Sequence, residues 1–133
     1  MRVADLMQTE VKSISPDTPI EKLVQTLADA RVSGLPVVDQ TSHVIGVVSA
    51  GDVLRASTWF GDREVASDAL AHETVRDIMT PDPYVISPDA DAREAAKHML
   101  YADVRRLFVE ERGKLIGVIT QTDIAHAVGT GRL

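Results

Sequence analysis

Two stretches of the chain set a hydroxyl and a carboxylate three positions apart, directly after a glycine and two β-branched residues. They are GVVSAGD, from Gly46 to Asp52, and GVITQTD, from Gly117 to Asp123. Ser49-x-x-Asp52 and Thr120-x-x-Asp123 have the spacing of a helix N-cap followed by an acidic residue at the third helical position, where a carboxylate also favours the positive helix end. The same geometry suits a ligand. A strand that turns into a helix through Ser or Thr presents free backbone N–H groups and a hydroxyl, which is a phosphate site. The carboxylate one turn on can accept both hydroxyls of a ribose, through charge-assisted bonds of roughly 1.5–3 kcal/mol each. Hydroxyl and carboxylate at this spacing match a nucleotide's phosphate and sugar and leave its base to find an apolar slot. On these residues alone, both the structural and the ligand-binding readings stand.

Other arrangements that carry chemistry are not found. Cysteine is absent, which removes a thiol nucleophile, a thiolate metal site and a disulfide framework. The four histidines, His43, His72, His98 and His126, show no zinc-ligand spacing. There is no Gly-x-Ser-x-Gly elbow, Walker loop or GxGxxG. The expectation is a binding protein, with no catalytic residue and no metal.

The elements that must position the two stretches are written twice. Val3-x-Asp5-x-Met7 returns as Val75-x-Asp77-x-Met79, and Ile14-Ser15-Pro16-Asp17 as Ile86-Ser87-Pro88-Asp89. Val32, Leu35 and Val37 return as Val104, Leu107 and Val109. Thr18-Pro19-Ile20-Glu21 reads as a helix start with Thr18 as N-cap, Pro19 at the first helical position and Glu21 closing a capping box. Ile20, Leu23, Val24, Leu27 and Ala28 then follow a one-sided helical period. The second copy opens with Asp91 and Glu94, and its stripe is Ala92, Ala95, Ala96, Met99 and Leu100.

Two β-rich runs follow each helix, Leu35–Val38 with Val44–Val48 and Leu107–Val109 with Leu115–Ile119. Both read as hairpins with loops longer than the two-residue kind. A second helix is expected from about Ala50 to Ala56 and from about Gln121 to Val128. The fold class is α/β in the broad sense (α+β), with two β-α-β-β-α repeats packed about a pseudo-twofold axis. The first repeat is 1–56, the connector 57–74 and the second repeat 75–133. Within the connector, Arg63 to Leu70 reads as helical and Trp59 as a tethering core contact.

Bulk properties bound the function. A chain of 133 residues can bury a core without disulfides or metal. Aromatics are 4% of it, too few for a base-stacking platform, and a formal charge of −6 disfavours non-specific nucleic-acid binding. No apolar run reaches the roughly 20 residues of a membrane span, and the opening residues lack a signal-peptide h-region. A cytoplasmic protein, with neither nucleic acid nor membrane as partner, is expected.

The doubled pattern resembles the cystathionine-beta-synthase (CBS) domain, tandem pairs of which form a Bateman module. The residues that carry the resemblance are Asp-Leu-Met near the start, Ser-Pro-Asp before the helix, Val-Ser-Gly-Leu-Pro-Val-Val-Asp after it, and Gly-Val-Val-Ser-x-x-Asp at the end. It covers nearly the whole chain except the connector and the last few residues. The resemblance implies regulatory binding of AMP, ADP or ATP, and in some members of S-adenosylmethionine or NAD, in clefts between repeats. It also implies a disc-shaped homodimer and an effector protein controlled in trans. Carried over by position, one cleft uses Val47, Ser49 and Asp52 with Tyr84, Val104, Arg105 and Arg106, the last holding phosphate. The other uses Val118, Thr120, Thr122 and Asp123 with Lys12, Val32, Ser33, Gly34 and Leu35. Leu107-Phe108-Val109 departs from the family's Leu-Pro-Val, and Phe108 either narrows the adenine slot or fills the core. The alternative function is a ligand-free assembly scaffold whose caps are only structural.

Overall fold

The computed structural model describes residues 1–58 and 73–133. Trp59 and the helix expected over 63–70 lie outside them. The chain divides into two compact units that do not follow the sequence repeats. One, here the Ser49 unit, is Lys12–Thr41 with Ile45–Pro83; the other, the Thr120 unit, is Met1–Val11 with Ser42–Val44 and Tyr84–Leu133. Each unit therefore draws its short leading helix from the opposite half of the sequence.

In the Ser49 unit, helix α2 spans Ile20–Ala30 and is followed by strands β1, Gly34–Val38, and β2, Val44–Ser49. Helix α3 is Ala50–Thr58, α4 is Val75–Ile78 and strand β3 is Thr80–Pro81. The sheet order is β1-β2-β3, with β3 antiparallel to β2 and Val47 opposite Thr80. The apolar stripe of α2 does what its period predicts: Ile20, Leu23 and Leu27 are buried with Ile14, Leu35, Val37, Val48 and Val75. Val24, expected on that stripe, is 47% exposed, since it lies at the edge of the buried arc.

The Thr120 unit repeats the scheme. Helix α1 is Val3–Leu6, strand β4 is Val85–Ile86, helix α5 is Ala92–Ala102, strands β5 and β6 are Arg106–Glu111 and Lys114–Thr120, and helix α6 is Gln121–Gly129. The sheet order is β4-β5-β6, with β4 parallel to β5 and β5 antiparallel to β6. Val3, Ala95, Met99, Leu107, Val109, Ile119 and Ile124 form its core. The architecture is mixed α+β with two three-stranded sheets.

Three local expectations are corrected. The first long helix begins at Ile20 with Pro19 as its N-cap and no side-chain cap. Its first turn is met by backbone instead: Ile20 N donates to the Glu73 carbonyl, and the Thr18 carbonyl accepts from Val75 N. The second hairpin is tight. Glu111 pairs with Lys114, and Arg112 and Gly113 between them both have positive φ, the pattern that matches strand twist in a two-residue loop. The early strand of the first copy shrinks to a single parallel bridge, Ile14 to Val37. Asp91, in contrast, caps α5 as its residue type predicts, accepting from Arg93 N at 2.8 Å.

Candidate functional site

Both signature stretches form the turn from the last hairpin strand into the last helix of their copy. At the first, Ser49 N donates to Asp52 Oδ2 at 2.8 Å and Ser49 Oγ lies 3.1 Å from the same oxygen. Asp52 N returns a bond to Ser49 Oγ at 3.3 Å, closing a capping box. Asp52 is 8% exposed, and its other oxygen, Oδ1, accepts from the Arg55 guanidinium one turn further along α3. Arg55 itself is largely solvent-facing.

The second turn has the same frame and a different partner. Thr120 N donates to Asp123 Oδ2 at 2.9 Å and Asp123 N to Thr120 Oγ1 at 3.1 Å. Here Oδ1 accepts from the Gln8 amide at 3.2 Å. Gln8 is held there by a reciprocal pair of backbone bonds with Val118, at 2.8 and 2.9 Å. Neither Gln8 nor Arg55 was expected. The signal for Gln8 was its place right after the repeated Val-x-Asp-x-Met motif; for Arg55 it was the one-turn spacing from Asp52.

Ser33-Gly34 adjoins the Ser49 turn and Val104–Arg106 the Thr120 turn, each within its own unit, whereas the resemblance pairs each group with the other turn. In the Ser49 unit, Ser33 accepts through its carbonyl from Ala50 N at 2.9 Å, and a Cβ on Gly34 would lie 3.2 Å from the Val48 carbonyl and 3.6 Å from Ser49 Cβ. Ser33-Gly34 thus borders the Ser49 turn within one unit. Val32 is exposed, Leu35 is buried, Lys12 is exposed and Val47 is half-buried. In the Thr120 unit, Arg106 stands opposite Thr120 in the β5–β6 register, Arg105 accepts through its carbonyl from Gln121 N, and the Val104 carbonyl accepts from Gln121 Nε2. The arginine pair therefore borders the Thr120 turn of its own unit. Both arginines are exposed, while Val104 and Val118 are half-buried.

Tyr84 is half-exposed and makes an edge-on ring contact with His98 at 5.4 Å. Phe108 is only 4% exposed and alternates to the face of β5 opposite Leu107 and Val109, the two that join the core of the unit. A cleft of about 270 Å³ opens next to the Thr120 turn, lined by Asp5, Leu6, Thr122, Asp123, His126 and Arg132. Among the described residues no cluster of three or more His, Asp or Glu is arranged to hold a metal. No described helix is long and apolar enough to cross a membrane.

The comparison with known proteins agrees with this doubled strand-to-helix frame. The family model for the CBS domain matches twice, over residues 3–58 and 75–130. The chain belongs to the CBS-domain family and carries the domain in tandem. It is 30% identical over 135 residues to the chloroplastic CBS domain-containing protein CBSX2 of Arabidopsis thaliana, a match covering 86% of this chain and 57% of that protein. The crystal structure of CBSX2 in complex with AMP superposes with a TM-score of 0.81 at 30% identity, covering 99% of this chain and 98% of the other. A second CBSX2 structure gives a TM-score of 0.82 at 32% identity, over 98% and 96% of the two chains. The chain is also 30% identical over 118 residues to an inosine-5'-monophosphate dehydrogenase of Methanocaldococcus jannaschii, covering 86% of this chain and 21% of that enzyme. It thus spans little more than half the length of CBSX2 and about a fifth of the dehydrogenase.

Proposed function

We propose that the chain is a regulatory module that binds an adenine nucleotide of the AMP, ADP or ATP class at its two signature turns. The observation that carries this reading is the capped carboxylate at each turn. Asp52 and Asp123 are fixed by their own backbone with one oxygen directed to an exchangeable side chain, in a family whose member CBSX2 has been crystallised with AMP. The carboxylate takes the ribose hydroxyls, and Ser49 or Thr120 with the adjoining helix end takes phosphate. Val32–Leu35 borders the first turn and Val104–Arg106 the second. Chemistry on the ligand is not part of the reading. Binding shifts the balance of a homodimer or of an effector interface in trans, by as much as the ligand's affinity differs between the two states.

A calorimetric and thermal-shift panel of AMP, ADP, ATP, S-adenosylmethionine and NAD tests it. Ligand at a hundred times its dissociation constant stabilises by about 2.7 kcal/mol. Sedimentation with and without the best ligand tests the homodimer.

A second reading is favoured by one observation: both carboxylates already have internal partners, Arg55 for Asp52 and Gln8 for Asp123. Caps satisfied in this way suit a ligand-free assembly module. Leu54, Leu100, Tyr101 and Val128, each more than half exposed, would then serve contacts with other proteins. Absence of a shift with every ligand in the panel selects this reading.

A further inference from the structure

We propose that the Ser49 unit carries a further binding site, for a small free amino acid with an aliphatic side chain, at the end of β2 away from its signature turn. This site is independent of the nucleotide reading.

It is a cleft of about 500 Å³, a size typical of pockets for small molecules. Ile45, near the start of β2, lines it, while Ser49 closes the same strand, roughly 13 Å further on at the rise of an extended chain. Short-range bonds build its two walls. On one, Asp17 N donates to Ser15 Oγ at 3.2 Å, and Arg76 N donates to the Pro16 carbonyl at 2.9 Å, which seats the start of α4 against this turn. On the other, Asp39 Oδ1 accepts from Thr41 N at 2.9 Å and from Thr41 Oγ1 at 2.7 Å. The second copy keeps the Ser-Pro-Asp turn but not the other parts. Its hairpin turns tightly through Arg112-Gly113, and Ala4 stands where the repeat puts Arg76. The fold is thus made once without this loop and this guanidinium, so neither is a requirement of it.

The charges choose the ligand. Arg76 lines the cleft against two carboxylates, Asp17 and Asp39. A bare anion would meet both carboxylates, and a bare cation would meet Arg76. Arg76 Nη2 and Asp17 Oδ1 lie 3.4 Å apart with their side chains 56% and 79% exposed, so solvent screens the pair and it opens at little cost. Among the described residues this is the only side-chain bond of Arg76, which leaves most of its five-donor fork for a ligand. In an amino acid the α-nitrogen lies about 2.5 Å from the carboxyl carbon. One small molecule can therefore set its carboxylate on the Arg76 fork and its ammonium against Asp17. Pro16 and Ile45 are the apolar part of the lining and suit an aliphatic side chain.

The test is a nuclear magnetic resonance titration of the whole chain with L-leucine. Leucinamide, which lacks the carboxylate, N-acetyl-leucine, which lacks the ammonium, and inorganic phosphate are the comparisons. The amides of Gln40, Thr41 and Ile45 report on the cleft, and that of Gly51 on the signature turn. Leucine is expected to move the first three saturably and to leave Gly51 in place. Removing either charge from the ligand, or substituting Arg76→Met or Asp17→Asn, is expected to weaken binding about tenfold or more. Both side chains are exposed, so the variants keep the fold, and their response to AMP at Gly51 is expected to match wild type. A failure of the nucleotide reading would show at Gly51 and a failure of this one at the cleft. The proposal is overturned if leucine, isoleucine, valine and methionine all leave the three cleft amides unmoved, or if neither substitution weakens binding. It is overturned equally if phosphate or either truncated ligand binds as tightly as leucine.

Discussion

Met79 packs on the bare backbone of Gly46: a Cβ at position 46 would lie 2.6 Å from Met79 Sδ and 2.9 Å from the Thr80 carbonyl. Met7 and Gly117 repeat the relationship, with distances of 2.8 Å to Met7 Sδ and 2.8 Å to the Gln8 carbonyl. The glycine that opens each signature stretch is thus explained by close approach. Each glycine receives the methionine of the motif that begins the other copy.

Gly46→Ala and Gly117→Ala should each destabilise by about 1–3 kcal/mol, because a backbone carbonyl cannot step aside as a flexible side chain can. Gly129→Ala, where nothing lies within 4 Å, should stay within about 0.5 kcal/mol of wild type. Thermal and urea denaturation monitored by circular dichroism would show the contrast. Three equal melting points would remove the packing explanation.

Asp52→Ala and Asp123→Ala should each lose about 1 kcal/mol from the missing cap. Each should also remove the nucleotide-induced thermal shift that belongs to its own turn. The two losses separate in calorimetry, where the number of sites falls by one in either variant. A variant that keeps both sites contradicts the assigned sugar contact.

Glu110 ties the loop before β2 into the Thr120 unit. Its Oε2 accepts from Val44 N at 2.8 Å and lies 2.8 Å from His43 Nδ1. Glu110→Ala leaves the N–H of a residue only 3% exposed without that acceptor, and should cost about 1–3 kcal/mol. Amide exchange at Val44 should quicken in the variant; unchanged exchange would mean that another group takes over the bond.

Met99 and Tyr101 sit two residues apart on α5 with opposite surroundings, fully buried and 94% exposed. Met99→Ala should cost about 2–5 kcal/mol and Tyr101→Ala less than about 0.5 kcal/mol. Denaturant midpoints of the two variants measure the difference directly.

Much of this was legible because the repeat forces local signals to agree twice. The stripe of α2 apart from Val24, the cap of α5, the strand pairs of both hairpins and both strand-to-helix turns follow from residue type and period. What was not legible came mostly from contacts distant in sequence, and in one case from a local turn. Thr18 has the right side chain for an N-cap, but its carbonyl and the first helical N–H are claimed by residues 73–75. Arg112 carries no sign of a left-handed conformation, yet the tight turn requires one of it. Gln8 lies 115 positions from Asp123, so no local pattern could pair them. The two copies were legible as sequence units; that each compact unit takes its short leading helix from the other copy was not.

That exchange sets a timetable for synthesis. Every residue of the Ser49 unit has been made once Pro83 is added, whereas Val3, Leu6 and Met7 belong to a core completed by Met99, Leu107, Ile119 and Ile124. At about 5–20 residues per second, the N-terminal segment waits several seconds for those partners while its neighbours are already complete. During translation the segment from Val3 to Met7 finds shelter only after its later-made partners emerge, and until then it is open to a chaperone that binds short apolar segments.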